Sequence, residues 1–522
     1  METLPETREE LTEINRQLKE ENLRQKALIE SQESRIAELE TKLNWLMEQV
    51  HLARHKRFGA SSEKTPIEQR LLFNEAEAIA DTVPEEKEPV ETITYERKKR
   101  GRRPIPKDLP TERIEYHLTE QEQVCPQCGE HMHRMGEDIR HEIEIIPAKA
   151  KLIEHVRDVY SCRHCERHGE KAVIKTAKAP QPVIEKGLAS PSSIAYVMTE
   201  KYVRGVPLYR QEKNFGQLGI ELSRETMSSW VIGGSTWLQW IYDRLKYYLL
   251  ISGVIHADET TLQVLKELGR AAETKSYMWL YRSGSQGPPI VLYEYQQTRS
   301  GEHPKSFLAG FRGYLQTDGY AGYHSVSDVI LVGCWAHFRR YFDEALKGAR
   351  NTSGTMSREA LNRINHLFAM ERELVRKTPD ERLAERNRRS RPVIEEFRRW
   401  LDTIAPGVLP KSLFGKAVTY GLNQWEHLVR FLEDGRLELS NNRAERSIKP
   451  FVIGRKNFLF SNTPRGAKAS AVVYSIVESA KENGLNPFEY LKYLFETLPN
   501  MDLNPGNMEM LDPLLPWNIQ LP

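Results

Sequence analysis

The sequence predicts a multidomain α+β chain, and three patterns predict it. Apolar residues recur in heptads over residues 8–50. Two Cys-x-x-Cys pairs follow a dense basic run. Beyond about residue 250, short runs of β-branched and aromatic residues alternate with helical stretches, and three acids, Asp258, Asp318 and Glu445, stand in or beside them. At 522 residues the chain exceeds what one hydrophobic core serves.

Composition narrows the class. Charged residues make up 28% and hydrophobic residues 39%, ordinary for a water-soluble chain, and the net charge of +2 hides a very uneven distribution. The longest apolar stretch, around Tyr247–Ile255, is far short of the ~18 residues a membrane span needs. The N-terminus is acidic and polar, without the apolar segment of an export signal. Four of the five cysteines form the two pairs, which in such a chain favours metal over disulfides. Cytoplasmic residence, at the nucleoid, is therefore expected.

The elements read in order as follows. In the N-terminal helix one seam position holds Asn15, Asn22, Ile29, Ile36, Leu43 and Val50; the other holds Leu11, Leu18, Gln25, Gln32, Leu39 and Leu46. That is a coiled coil with a polar first half, and seam asparagines favour two strands. It predicts self-association, against the plainer reading of a helix packed on its own protein. Residues 75–91 are acidic with Pro84 and Pro89 and read as a linker. The run Arg97, Lys98, Lys99, Arg100, Gly101, Arg102, Arg103 suits a narrow A·T-rich minor groove or, equally, a solvated linker.

Cys125, Cys128, Cys162 and Cys165 form two knuckles. Four thiolates satisfy tetrahedral Zn²⁺ with no open position, as a structural site requires. The spacer holds two strand-like stretches, His141–Ile146 and Lys151–Tyr160, as in a zinc ribbon. Cys334 is left over and reads as a buried apolar residue. Residues 188–245 are mostly helical. A helix over Pro207–Leu218, a turn over Gly219–Leu222 and a helix from Ser223 through Trp230 form a helix–turn–helix shape, which ordinary helical hairpins share.

Strands are expected at Val254–Ile255, Ser276–Tyr281, Ile290–Tyr295, Tyr314–Thr317 and Val329–Val332. A helix is expected within Gly301–Phe311 and another over Trp335–Leu346. This order is that of a ribonuclease-H-like domain, in which the first and fourth strands lie side by side. Asp258 and Asp318 would then meet at strand ends. Residues 350–405 are charged and helical, an insertion, after which a helix near Leu413–Leu432 leads to Glu445.

Three carboxylates converging from strands and a helix can hold two divalent cations, the arrangement that serves phosphodiester cutting and joining. Mg²⁺ suits the all-oxygen donor set. Each acid has a plainer reading: Asp258 and Asp318 as turn residues, Glu445 as the partner of Asn442 in a helix cap. The neighbouring cations Arg443, Arg446, Lys449, Arg455 and Lys456 favour the catalytic reading, since a polyanion must be held there.

Specific stretches carry a resemblance. They are Arg57–Lys64, the two-knuckle cysteine region, Lys201–Arg210, His256–Thr260, Thr317–Tyr320, Gly333–Arg340, Asn441–Arg446 with Gly454–Asn457, and Leu514–Asn518. In these, and in their order over nearly the whole chain, the sequence closely resembles transposases of the insertion sequence 66 family. The resemblance implies a DDE catalytic domain with Asp258, Asp318 and Glu445 as its triad, and it supports the zinc and leucine-zipper readings. It also implies DNA ends and target as partners, with accessory proteins of the same element as further ones.

The resulting expectation is a coiled coil over 1–56, a linker with the basic run over 57–118, and a zinc ribbon over 119–175. A helical, helix–turn–helix-like unit follows over 176–245. The catalytic domain spans 246–478 with its insertion at about 350–435, and the tail is 479–522. The expected activity is Mg²⁺-dependent strand cleavage and transfer. Its DNA contacts are Arg97, Lys98, Lys99, Arg100, Arg102, Arg103, Arg446, Lys449, Arg455 and Lys456. The alternative is a non-catalytic DNA-binding regulator, which has no need of a strand-rich domain with three acids.

Overall fold

The computed structural model describes residues 8–58, 150–161, 174–185, 187–348 and 355–521. The four paired cysteines, the basic run Arg97–Arg103 and the expected strand His141–Ile146 lie outside them. The chain separates into two units, Pro84–Glu154 and the remainder. Of the smaller unit only residues 150–154 are described, without regular secondary structure.

The heptad segment is one helix, α1 (Arg8–Phe58), eight residues longer than its repeat. Its seam residues Leu18, Ile29, Ile36, Leu39, Leu43, Leu46 and Val50 are 50–56% exposed. Its C-terminal end is engaged. Leu52 is buried against Ala345 and Leu413, and Glu48 Oε2 accepts from the Leu413 amide at 3.1 Å. The strand expected over Lys151–Tyr160 is reduced to β1 (Val159–Ser161), paired antiparallel with β2 (Ile174–Thr176).

Three helices follow. Ser190 caps α2 (Pro191–Tyr202) in a box with Ser193, with Pro191 at the first turn, where a missing N–H costs nothing. α3 (Leu208–Gln217) ends in a turn through Gly219, whose φ of +74° favours glycine. Ser223 caps α4 (Arg224–Leu250). Here the expectation needs correction, because the second helix runs to Leu250 and not to Trp230. Met227, Trp230, Val231, Leu238, Ile241, Leu245 and Leu249 recur at helical spacing and are buried along its length.

The sheet has five strands: β3 (Val254–Gln263), β4 (Lys275–Ser283), β5 (Val291–Gln296), β6 (Gly313–Gln316) and β7 (Val329–Val332). Their spatial order is β5-β4-β3-β6-β7. The first three are antiparallel neighbours, while β6 runs parallel to β3 and β7 parallel to β6. The first and fourth strands of the sheet are therefore adjacent, as expected. A short helix, α5 (Glu302–Phe307), precedes β6, and α6 (Trp335–Gly348) follows β7.

Residues beyond α6 are helical: α7 (Met356–Leu374), α8 (Pro379–Glu385), a π turn at Arg386–Ser390, α9 (Arg391–Ile404), α10 (Leu413–Asn423) and α11 (Trp425–Val429). The single helix expected near Leu413–Leu432 breaks at Gln424. Then come α12 (Asn442–Phe458), α13 (Pro464–Glu482) and α14 (Pro487–Thr497). α12 packs on β3 and β4, and α13 packs on β5 and α4. Met278 through Ser283 of β4 are all buried, so this sheet is covered on both faces. One core joins Ile255, Leu280 and Tyr293 to α4, α12 and α13; a second joins Val332, Trp335 and Phe338 to the inserted helices. The last residues close the first core, with Leu511 and Leu515 buried and Asp512 paired with Arg244 at 2.6 Å. No helix among the described residues is long and apolar enough to cross a membrane.

Candidate active site

Backbone register positions the first two acids. The parallel pairing of β3 and β6 runs Val254↔Tyr314, Ile255↔Leu315, His256↔Gln316. Continued by two residues, it brings position 258 level with position 318. Asp258 is not at the end of its strand, as expected, but in the middle. β3 continues to Gln263 because Glu259–Gln263 pair with β4. It does lie just past the end of the parallel pairing, where β6 has stopped. Asp318 is the turn itself. Its Oδ1 accepts from the Tyr320 amide at 3.0 Å, and its carbonyl accepts from the Tyr420 hydroxyl at 2.8 Å. Gly319 follows at φ +91°, and a Cβ there would press on Tyr420 and Gln424. Glycine is required on both counts.

Glu445 sits in the first turn of α12, and a polar layer beneath it fixes that helix to the sheet. His256, fully buried, donates from Nδ1 to Asn441 Oδ1 at 3.1 Å, while Asn441 Nδ2 donates to the Ala257 carbonyl at 2.8 Å. The Asn441 amide donates to Cys334 Sγ at 3.1 Å. Gln316 Nε2 donates to the Glu438 carbonyl at 2.7 Å. Burial pushes His256 down to about 4 and the Cys334 thiol up to about 12, so both are neutral. Cys334 is buried as expected, and it also accepts two amide hydrogens, from His337 and Asn441. The capping reading of Glu445 is not what forms, because Asn441 stands at the cap position without a side-chain cap bond. The Glu445 carboxylate instead accepts from Arg340 of α6 at 3.1 Å.

The acids are within electrostatic reach of one another. Burial raises the Asp258 carboxyl well above its ordinary range, and Glu259, Asp318 and Glu445 raise it further. Burial also raises Glu445; Arg340 opposes this and Asp318 adds to it. Glu259, the next residue on β3, is raised by burial and by Asp318, and is opposed by a hydrogen bond from Tyr323 at 2.7 Å and by the Arg299 guanidinium. Among the described residues no three such side chains close to metal-holding distance.

The donor set nevertheless fits a cation. Asp258 Oδ1 accepts from the Glu259 amide at 2.8 Å and Asp318 Oδ1 from Tyr320, which leaves one oxygen on each without a protein donor among the described residues. Mutual repulsion of buried carboxylates is the condition a bound cation relieves.

Two other acids that follow the inserted helices, Glu438 and Glu478, are committed elsewhere. Glu438 pairs with Arg443 at 2.6 Å, and Glu478 pairs with Lys481 at 2.9 Å on α13. Arg443 is thereby turned from the cationic cluster. Arg446 and Lys456 are exposed and Lys449 half-buried, while Arg455 donates to Thr260 and Thr261 at 3.3 and 3.1 Å. Reading the sequence missed Arg340, His337, Glu259 and Arg299. Arg340 also donates to His337 Nδ1 at 3.2 Å, and His337 is close enough to Asp318 to feel its charge. The signal was present: Arg340 and His337 fall in the Gly333–Arg340 stretch, and Glu259 in His256–Thr260.

The family model described as Transposase IS66 family matches residues 186–469, more than half of the chain and all three acids. The chain belongs to the IS66 family of transposases. Further models of this family match other segments: the zinc-finger binding domain of transposase IS66 at residues 122–166, the Transposase C of IS166 homeodomain at 45–114, and the IS66 C-terminal element at 475–517. Among relatives of this IS66-family chain are three from Sinorhizobium fredii. Uncharacterized protein y4qI is 30% identical over 95% of this chain and 92% of its own length. Uncharacterized protein y4hP is 28% identical over 92% and 88%, and uncharacterized protein y4jD 30% identical over 79% and 81%.

Proposed function

We propose that this transposase cuts DNA at the ends of its insertion sequence and joins them to a target, with Asp258, Asp318 and Glu445 holding two Mg²⁺ ions. The observation that carries the reading is the register that sets Asp258 level with Asp318, with Glu445 of α12 within electrostatic reach of both. The strand order and directions support a ribonuclease-H-like domain around them. Bound divalent cations would supply activation of a hydroxyl nucleophile and stabilisation of the departing oxyanion. The chain's own residues do the rest. Arg340 orients Glu445, Asn441 and His256 fix the helix to β3, and Arg446, Lys449 and Lys456 present cations where a phosphate backbone passes. The experiment is incubation of the full chain with duplex DNA carrying an end of its element and Mg²⁺. Nicks at the end, absent with EDTA, are expected; binding without nicks would leave a regulator.

Cys125, Cys128, Cys162 and Cys165 all fall inside the matched zinc-finger region, which supports one structural Zn²⁺. Cys125→Ser or Cys162→Ser is expected to reduce bound zinc from one per chain to none by elemental analysis, with melting of the catalytic domain unchanged. Retained zinc would place the ligands elsewhere.

The exposed seam of α1 supports self-association, since an amphipathic helix of 51 residues with half-exposed leucines and isoleucines gains by burying them against a second copy. Deletion of residues 1–44, which spares Glu48 and Leu52, is expected to lower the mass in solution. An unchanged mass at low concentration would locate assembly in another part of the chain.

A further inference from the structure

The outer side of α12 and the loop after it hold features that the carboxylate chemistry does not use. Arg446, Lys449, Ile453 and Lys456 recur at spacings of three and four, so they line one side of the helix that starts beside Glu445. That side ends in an apolar pair. Leu459 is 64% exposed and Phe460 42% exposed, with Ile453 exposed behind them. Leu459 is one of only two non-glycine residues at positive φ among those described, at +65°.

The pair does not sit on a loose loop. Immediately after it, Ser461 donates to the Gln263 carbonyl, and Leu265 and Lys266 donate to the Ser461 and Asn462 carbonyls, each at 3.0 Å. β3 thus carries Asp258 at one point and pins this loop at another. On the near side Arg455 is tied to Thr260 and Thr261. On the far side Thr463 caps α13, which presents Arg465 and Lys468 to solvent.

Exposed apolar side chains on a rigid ledge, flanked by cations and aligned with a carboxylate site, match one partner best, a DNA duplex. Cations take the phosphates, and apolar side chains enter between base steps and unstack them. A second copy of this chain fits less well, because a two-fold contact here would oppose like cations. The five residue steps from Asp258 to Gln263 span roughly 17 Å of strand, about five base steps at ~3.4 Å each.

Resting on the transposase reading, we propose that Leu459 and Phe460 form a wedge that enters the DNA about five nucleotides from the scissile phosphate, unstacks a base there and so holds the end for cutting. The test uses the full chain and end duplexes carrying 2-aminopurine at successive positions from the cleavage junction, read by fluorescence without Mg²⁺ and by cleavage with it.

With the parent chain, fluorescence is expected to rise at one position near the fifth. Leu459→Ala combined with Phe460→Ala is expected to lose that rise and to cut about tenfold more slowly, the order of one base–aromatic stack. Its melting temperature and its affinity for unrelated duplex are expected to be unchanged. A mismatch at the wedge position should restore its rate, and Phe460→Trp should keep both signals.

Equal fluorescence and rate in parent and double variant would overturn the proposal. So would a fall in solution mass with the DNA response intact, which would make the ledge an interface between copies. A parent chain that shows the fluorescence rise yet never cuts would sink the proposed cleavage chemistry and leave the DNA wedge standing.

Discussion

Asp258→Asn, Asp318→Asn and Glu445→Gln are each expected to lower cleavage of element-end DNA by about a thousandfold or more, with DNA affinity changed little. Each substitution preserves shape and removes one anionic ligand from a site where metal-held oxygens supply several kcal/mol of barrier reduction. Binding depends on cations that these changes leave in place, so affinity and cleavage should separate. Pairwise combinations should be no worse than the single changes, because groups that act as one unit fail together.

The free protein offers a second readout, independent of catalysis. Ionised Asp258 is buried and repelled by Glu259, Asp318 and Glu445. Asp258→Asn should therefore melt a few degrees higher than the parent in EDTA, and Mg²⁺ should raise the melting temperature of the parent but not of the variant. A variant that melts lower in EDTA, or that keeps its Mg²⁺ response, would remove Asp258 from the site. Glu445→Gln has a further consequence, since it weakens the hold of Arg340. Near-normal cleavage by that variant would deny Glu445 its role. Glu438 and Glu478, already paired with Arg443 and Lys481, are poor substitutes.

Much of the sheet that positions the candidate site is legible in the sequence. Short β-branched runs bounded by turn residues located all five strands of the sheet, and Asp-Gly at 318–319 marked a turn that only glycine completes. The errors have physical causes. The sequence suggests an early end to β3 because Glu259-Thr260-Thr261 is polar; cross-strand pairing with β4 keeps it extended. α4 runs beyond Trp230 because burial against α2 and α13 along its length keeps it helical, and those contacts are remote in sequence. Arg340 was missed because its partner lies 105 residues away, and no local period announces such a contact.

The same blindness applied to Arg386, where the largest stability effect is expected. Within a run rich in arginine it reads as one more solvated charge, yet it is fully buried. Its Nε and Nη2 donate to the two oxygens of Glu371, each at 2.7 Å. Its remaining bonds go to the carbonyls of Phe431, Asp434 and Leu437 at 2.9, 3.2 and 2.8 Å. Five bonds use the full donor capacity of a guanidinium, and the π turn that starts at Arg386 puts them within reach. Those carbonyls belong to the segment that runs directly into Glu438, Asn441 and Glu445. Arg386→Met should leave a buried carboxylate and three carbonyls without their donor, and is expected to cost about 3–5 kcal/mol in chemical denaturation. Arg386→Lys should recover little, since an ammonium has three donors and no fork. Adding Glu371→Leu to Arg386→Met should restore part of the loss, because it removes the orphaned charge. A cost under about 1 kcal/mol, the range of exposed pairs, would show that the arginine is solvated and does not hold the segment that carries Glu445.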